Sequence, residues 1–153
     1  LRRPWLGAEP DPKDKRPGVT YGLLSWRSDG VAEPFVTSGE TRSLSLQQFA
    51  KSATLTKPFA VTLNGYFNAP VDAIYEFQAD STYSTAIEID GFTVLDDTGD
   101  ATRKARSAVV PLRAGLHKIS MRYNNGGGEP FWRVRWAYKG QNWRNIGGGE
   151  LVH

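Results

Sequence analysis

The sequence predicts an all-β domain, an antiparallel two-sheet β-sandwich. Three observations predict it. Phe, Tyr and Trp number 7, 6 and 5 in 153 residues, and aromatic side chains favour the half-buried surface of a pleated strand. The 16 Gly and 9 Pro supply frequent turns. Between those turns apolar and polar residues alternate with period two, the pattern of strands with one face buried. A single Met and little 3.6-residue periodicity argue against a helical bundle. At 153 residues the chain suits one domain of ordinary size and is short for two.

Taken in order, residues 1–18 are rich in proline and charge and read as a linker or N-terminal arm, with Trp5 placed to pin it to the body. The start Leu1-Arg2-Arg3-Pro4-Trp5 lacks an initiator Met, so we expect a piece of a longer protein. Residues 19–153 form the domain. Residues 19–26 make a first strand, stopped by Ser28-Asp29-Gly30, and 31–43 read as loop. Across 44–53, Leu46, Phe49, Ala50 and Ala53 fit one helical face, yet the segment is short and uncapped, and its type stays open.

From Lys57 the pattern sharpens. Phe59, Val61 and Leu63 alternate with Ala60, Thr62 and Asn64 and lead into Gly65-Tyr66-Phe67. After Asn68-Ala69-Pro70 turns the chain, Ala73, Tyr75, Phe77 and Ala79 share a face opposite Glu76 and Gln78. Ile87 and Ile89 continue to Asp90-Gly91 and Phe92-Thr93-Val94-Leu95. Asp-Gly between two such runs marks a two-residue hairpin, because Gly tolerates the positive φ that the turn requires. Residues 96–100 read as a polar loop. Ala108, Val110 and Leu112 form a strand closed by Arg113-Ala114-Gly115. His117, Ile119, Met121 and Tyr123 form another, and after 124–128 so do Trp132, Val134, Trp136 and Tyr138, opposed by Arg133 and Arg135. Strands of this kind joined by short turns close most economically as two packed sheets.

Charge and composition exclude several functions. No apolar run approaches the roughly 18 to 20 residues that span a bilayer. Without cysteine there is neither a disulfide framework nor a thiolate metal site. The net charge of +3 conceals a block of eight acids and no base in residues 71–100, followed by ten bases against Glu129 and Glu150 in 101–153. Trp132-Arg133-Val134-Arg135-Trp136 has the look of a nucleic-acid stripe, but the total charge is modest. An acidic strand beside a basic one is simply complementary, so no nucleic-acid partner is expected. No Gly-x-Ser-x-Gly elbow or His-Glu-x-x-His is present, His117 reads as a packed strand residue, and alternation spreads the acids over strand faces and hairpin tips. An enzyme is not expected.

The ordered series Gly65-Tyr66-Phe67, Tyr75-Glu76-Phe77, Ala79-Asp80-Ser81, Ile89-Asp90-Gly91, Leu112 to Ile119, Tyr123, the Gly126–Gly128 run and Val134-Arg135-Trp136 resembles the protective-antigen-fourteen family. That family is the β-sandwich first seen as an insert in the anthrax toxin protective antigen, and the resemblance covers residues 19–153. It implies a jelly-roll-like, lectin-like fold and a non-catalytic carbohydrate-binding accessory module. Such a module is linked to catalytic or surface domains of a larger polysaccharide-active or surface protein in an extracellular, cell-surface or periplasmic setting. In sugar-binding members two adjacent aspartates after the Tyr-x-Phe strand hold calcium, which ligates sugar hydroxyls. Here those positions read Asp80-Ser81, with the second acid lost. The later binding loop maps to Asn124-Asn125 and Trp132.

The ligand-binding candidates are therefore Asp80, Ser81, Thr82, Tyr83, Asn124, Asn125 and Trp132. Calcium takes six to eight oxygens; Asp80 and Asn125 are the candidate metal ligands, and Ser81 and Asn124 add oxygens if the loops converge as the family analogy implies. Asp96, Asp97 and Asp100 are an alternative metal set, although Gly99 and the missing twelfth-position Glu depart from a helix-loop-helix calcium loop. Tyr83 and Trp132 are the candidate platforms on which a pyranose could stack, whereas Trp5, Trp26 and Trp143 read as core or edge packing. The alternative function is a structural spacer or protein-interaction domain that has lost sugar binding, for which Ser81 is the argument.

Overall fold

The computed structural model describes residues 5–8, 15–25, 37–42, 46, 58–147 and 149–153. Among them run β1 (Val19–Ser25), β2 (Thr37–Thr41), β3 (Phe59–Ala69), β4 (Ala73–Ser81), β5 (Ser84–Ile89), β6 (Phe92–Asp97), β7 (Lys104–Leu112), β8 (Gly115–Asn125), β9 (Trp132–Tyr138), β10 (Arg144–Asn145) and β11 (Leu151–Val152). One sheet has the order β2-β1-β3-β8-β5-β6, with β11 also on β3; the other has β10-β9-β4-β7. All the strand pairings are antiparallel. The predicted two-sheet sandwich is the fold.

The alternation read from the sequence decides what lies between the sheets. Phe59, Val61, Leu63 and Phe67 of β3 are fully buried, and so are Tyr75 and Phe77 of β4. Phe67 reaches across to the smaller sheet, with its ring edge-on to Trp136 at 5.0 Å, Phe77 at 5.3 Å and Tyr75 at 5.8 Å. Edge-to-face rings add about 0.5–1.5 kcal/mol per pair to the area they bury. The Tyr75 hydroxyl stays paired, donating to the Val71 carbonyl at 2.6 Å.

Gly65 has a steric role. β1 covers one edge of β3 as far as Asn64, and β11 takes over at Tyr66 and Phe67. A Cβ on Gly65 would sit 2.7 Å from the Val152 carbonyl oxygen and 2.9 Å from a Val19 methyl, so only glycine lets both strands share that edge. Parts of the arm also touch the body. Leu6 bridges Leu112 at the edge of β7, Arg113 stacks 5.0 Å over Trp5, and Pro17 bridges Val152.

Two expectations need correction. The expected loop 31–43 contains β2, paired with β1 from Thr37 to Thr41. Its sequence Thr-Ser-Gly-Glu-Thr carries no apolar alternation because an edge strand can be held by backbone pairing alone. The expected loop 96–100 begins late, since Asp96 and Asp97 still pair with Ala86 and Thr85. The 44–53 segment, apart from Leu46, Trp26 and the Ser28-Asp29-Gly30 stop lie outside the described residues.

Candidate functional site

Three connections meet at one end of the sandwich: Thr82-Tyr83 between β4 and β5, residues 98–103 between β6 and β7, and residues 126–131 between β8 and β9. Thr82 and Tyr83 tie the other two together. The Thr82 amide donates to the Phe131 carbonyl at 3.0 Å, and the Phe131 amide returns a bond to Thr82 Oγ1 at 3.1 Å. The Tyr83 amide donates to the Asp100 carbonyl at 2.7 Å. Thr82 Oγ1 also lies 2.8 Å from the Tyr123 hydroxyl, whose deprotonation burial makes harder.

Tyr83 stands in the left-handed region at φ 53°, which turns its ring over the glycine run. Its hydroxyl accepts from the Gly128 amide at 2.9 Å, and a Cβ on Gly126 would come within 2.5 Å of the ring. The glycine run is thus a cradle for Tyr83. Buried Asn125 closes the same loop by donating from Nδ2 to the Gly128 carbonyl at 3.0 Å.

Arginines dominate the electrostatics beside this cradle. Asp80, 7% exposed, accepts from Arg103 Nε at 2.9 Å and Nη2 at 2.7 Å, and from Arg133 Nη2 at 3.2 Å. The Arg103 guanidinium, seconded by Arg133, holds the carboxyl below the usual carboxylate range. Arg103 in turn lies over the Phe131 ring, with its guanidinium carbon 3.7 Å from the centroid. The hydroxyl of fully buried Ser81 accepts from Arg106 Nη1 at 2.9 Å, while Arg106 Nη2 donates to the Tyr83 carbonyl and the same guanidinium pairs with Asp97.

This donor set does not fit the calcium that the resemblance implies. Both Asp80 oxygens are taken by guanidinium groups, Ser81 faces another, and cations crowd the place where a metal needs carboxylates. Asn125 is committed to its own loop. The alternative set does not converge either. Asp97 faces Arg106 and Lys104, Asp100 accepts from the Thr102 amide at 2.8 Å, and Asp96 is exposed. Among the described residues no group of three or more His, Asp or Glu side chains is arranged to hold a metal ion.

The structure brings Asp80, Ser81, Thr82, Tyr83, Asn125 and Trp132 to one end, but not as a row of exposed ligands. Trp132 is 6% exposed, stacked on Tyr123 at 5.6 Å and 14°, with its Nε1 donating to Thr85 Oγ1 at 3.2 Å. Its expected part as an open platform is corrected: the face a sugar would use is occupied by Tyr123. Tyr83 is half-buried, as is Asn124, which pairs with Ala60 and Ser84 in the larger sheet. Arg103, Arg106, Arg133 and Phe131 were missed. Arg133 carried a signal, since its alternation with Trp132 and Val134 turns it outward; Arg103 had none, because only the sheet register brings it to Asp80.

His117 is fully buried at the opposite end. Its Nδ1 lies 2.7 Å from Asp90 Oδ2, and its Nε2 lies 2.7 Å from the Arg113 carbonyl. Neither ring nitrogen is open to a substrate. Among the described residues no helix is long and apolar enough to cross a membrane.

Comparison with known proteins places this geometry. A search of curated proteins finds no match. The PA14 domain of the MpAFP antifreeze protein superposes with a TM-score of 0.70 at 14% identity, covering 94% of each chain. A PA14 sugar-binding domain from an RTX adhesin gives 0.73 at 16% identity, over 90% of this chain and 98% of that one. The Epithelial Adhesin 9 A domain from Candida glabrata, solved with Galb1-3GlcNAc, gives 0.75 at 12% identity, over 98% and 94%. An anti-sigma factor domain-containing protein matches with a TM-score of 0.76 at 16% identity; the alignment covers 94% of this chain and half the length of that one. These likenesses concern the fold. The PA14 domain family profile matches residues 16–147, and the chain belongs to that family.

Proposed function

We propose that the chain is a non-catalytic carbohydrate-binding module, an accessory to a larger extracellular, cell-surface or periplasmic protein that acts on polysaccharide or displays adhesive domains. The observation that carries the reading is the meeting of three loops at one end of a PA14 sandwich, locked by Thr82 and by Tyr83 lying in its glycine cradle. Sandwiches of the same fold in an RTX adhesin and in a yeast adhesin are described as sugar-binding or were solved with a sugar. Tyr83, Asn124 and the 126–131 loop offer the polar edges and the aromatic ring that a saccharide requires, with Asp80, Ser81, Thr82, Asn125 and Trp132 as the frame beneath. Pre-set loops lower the ordering cost of binding. An affinity in the millimolar to micromolar range, about −4 to −8 kcal/mol, is expected.

A second reading, a spacer or protein-interaction domain, is favoured by one observation: Asp80 and Ser81 are both occupied by arginines. A glycan array and an affinity gel separate the two. Binding that falls at least tenfold in Tyr83→Ala supports the module. No binding to any glycan, with or without calcium, leaves the spacer. Hydrolysis of a chromogenic glycoside panel would overturn the non-catalytic assignment.

A further inference from the structure

The outer face of the smaller sheet carries a positive stripe beside the loop end. Trp132, Val134 and Trp136 point inward, so Arg133 and Arg135 of β9 point out, about 7 Å apart along the strand. Opposite them on β4 stand Asp80 and Gln78. Asp80 binds Arg133 and Arg103, and Gln78 Oε1 accepts from Arg135 Nε at 3.0 Å and from its Nη2. Three guanidinium charges thus face one carboxylate and one neutral amide. Farther along, Glu76 on β4, in register with Ala137, adds a carboxylate, and Arg144, 5.4 Å from the Trp136 ring centroid, adds a fourth guanidinium. Glu129 stands exposed in the neighbouring loop. The stripe keeps a surplus of positive charge.

These arginines are held, not exhausted. Asp80 and Gln78 leave Nη1 of Arg103, Arg133 and Arg135 without a hydrogen bond among the described residues. The Arg103 and Arg133 side chains remain 51% and 41% exposed. Phe131 lies under Arg103, and Trp143, 38% exposed, lies 5.6 Å from Arg135. A guanidinium fixed from one side by a carboxylate or amide and by an aromatic ring presents its remaining N–H groups in a set direction. That is the geometry for an oxyanion, and little side-chain entropy is left to lose. Trp143 adds an apolar ring against which the C–H face of a sugar can pack.

We propose that this stripe binds an acidic saccharide without calcium, its carboxylate or sulfate oxygens accepting from Arg133 and Arg135, with Arg103 closing the site at the loop end. The inference rests on the carbohydrate-binding reading and names its ligand class. The protonated guanidinium groups supply the positive charge that a bound cation would bring in a calcium-dependent site.

The test titrates the full chain by calorimetry with a neutral glucan, a polyuronate, a sulfated glycosaminoglycan and a single-stranded DNA of matched charge, each in EDTA and in millimolar calcium. The polyuronate or the sulfated chain should bind in EDTA, and which of the two binds identifies the anion. Arg133→Gln with Arg135→Gln should weaken binding at least tenfold while the melting temperature moves by only a few degrees. Arg135→Lys, which keeps the charge and loses the fork, should fall between. Should the double variant not fold, Trp143→Ala, outside the sheet pairing, is expected to weaken binding several-fold. Binding of the neutral glucan alone, or only with calcium, overturns this inference and leaves the carbohydrate reading standing. DNA bound as tightly as the acidic glycans overturns it as unspecific charge attraction. No glycan bound at all removes both.

Discussion

At the scale of single residues, the same pattern both revealed and concealed the site. Trp132 alternates with Val134 and Trp136, so the sequence itself turned it inward. Its expected role as a platform came from the family analogy, and the stack on Tyr123 overrules that. Arg133 obeys the complementary rule and points out. Tyr83 was legible as an aromatic in a loop, but its dependence on Gly126 and Gly128 was not, because the contact spans more than forty residues of chain. That dependence is testable. A methyl on Gly126 meets the Tyr83 ring, which must tilt away from Gly128. Gly126→Ala should cost about 1–3 kcal/mol by overpacking and, in chemical denaturation, lower the midpoint. It should also raise the hydrogen-exchange rate of the Gly128 amide, which loses its acceptor. An unchanged exchange rate there would show that the ring is not held as described.

At the scale of elements, the strands with a clean period of two were readable, and those without it were not. Asp90-Gly91 turns as expected, with φ 51° and 80°. β6 departs from alternation because a register shift between Ile87 and Glu88 leaves Val94 without a partner, and Val94 and Leu95 are both buried. β2 lacks any apolar code, and β10 and β11 are two residues each, too short for a pattern. His117 read correctly as a packed strand residue, but its task needed the structure. It joins the β5–β6 hairpin, through Asp90, to the turn before β8, through the Arg113 carbonyl, while Asp90 Oδ1 accepts from the Lys118 amide at 2.9 Å. His117→Ala leaves a carboxylate oxygen and a carbonyl without their partner in a buried place, and should destabilise the fold by about 2–4 kcal/mol. His117→Gln, whose single amide nitrogen reaches only one of the two oxygens, should recover part of that loss. Equal stability of all three proteins in urea melts would exclude the clamp.

At the scale of the whole molecule, three acids of the block 71–100 pair with bases of residues 101–153. Asp72 binds Arg113, Asp80 binds Arg103 and Arg133, and Asp97 binds Arg106 and Lys104, each acid from the one segment and each base from the other. Asp72 is held low by the Ala114 amide and then by Arg113, Asp80 by Arg103, Asp100 by the Thr102 amide, and Glu40 by His153. Every one of these folded-state values lies below the ordinary value of 3.8 for Asp or 4.5 for Glu. The unfolded chain therefore takes up protons first as pH falls. The stability these carboxylates contribute is fully present above about pH 5 and is lost as pH drops through the ordinary range and then through each lowered value. Most of the groups are exposed, so screening keeps each share small, and added salt should flatten the decline. Asp80, the most buried of the four, should dominate it. In urea melts from pH 7 to pH 2.5, the native chain should hold its stability to about pH 5 and then lose it. Asp80→Asn should start lower and decline less, so that the two curves converge at the acid end. Curves that stay parallel would mean that the Asp80 charge, and with it the arginine frame of the site, contributes nothing to the fold.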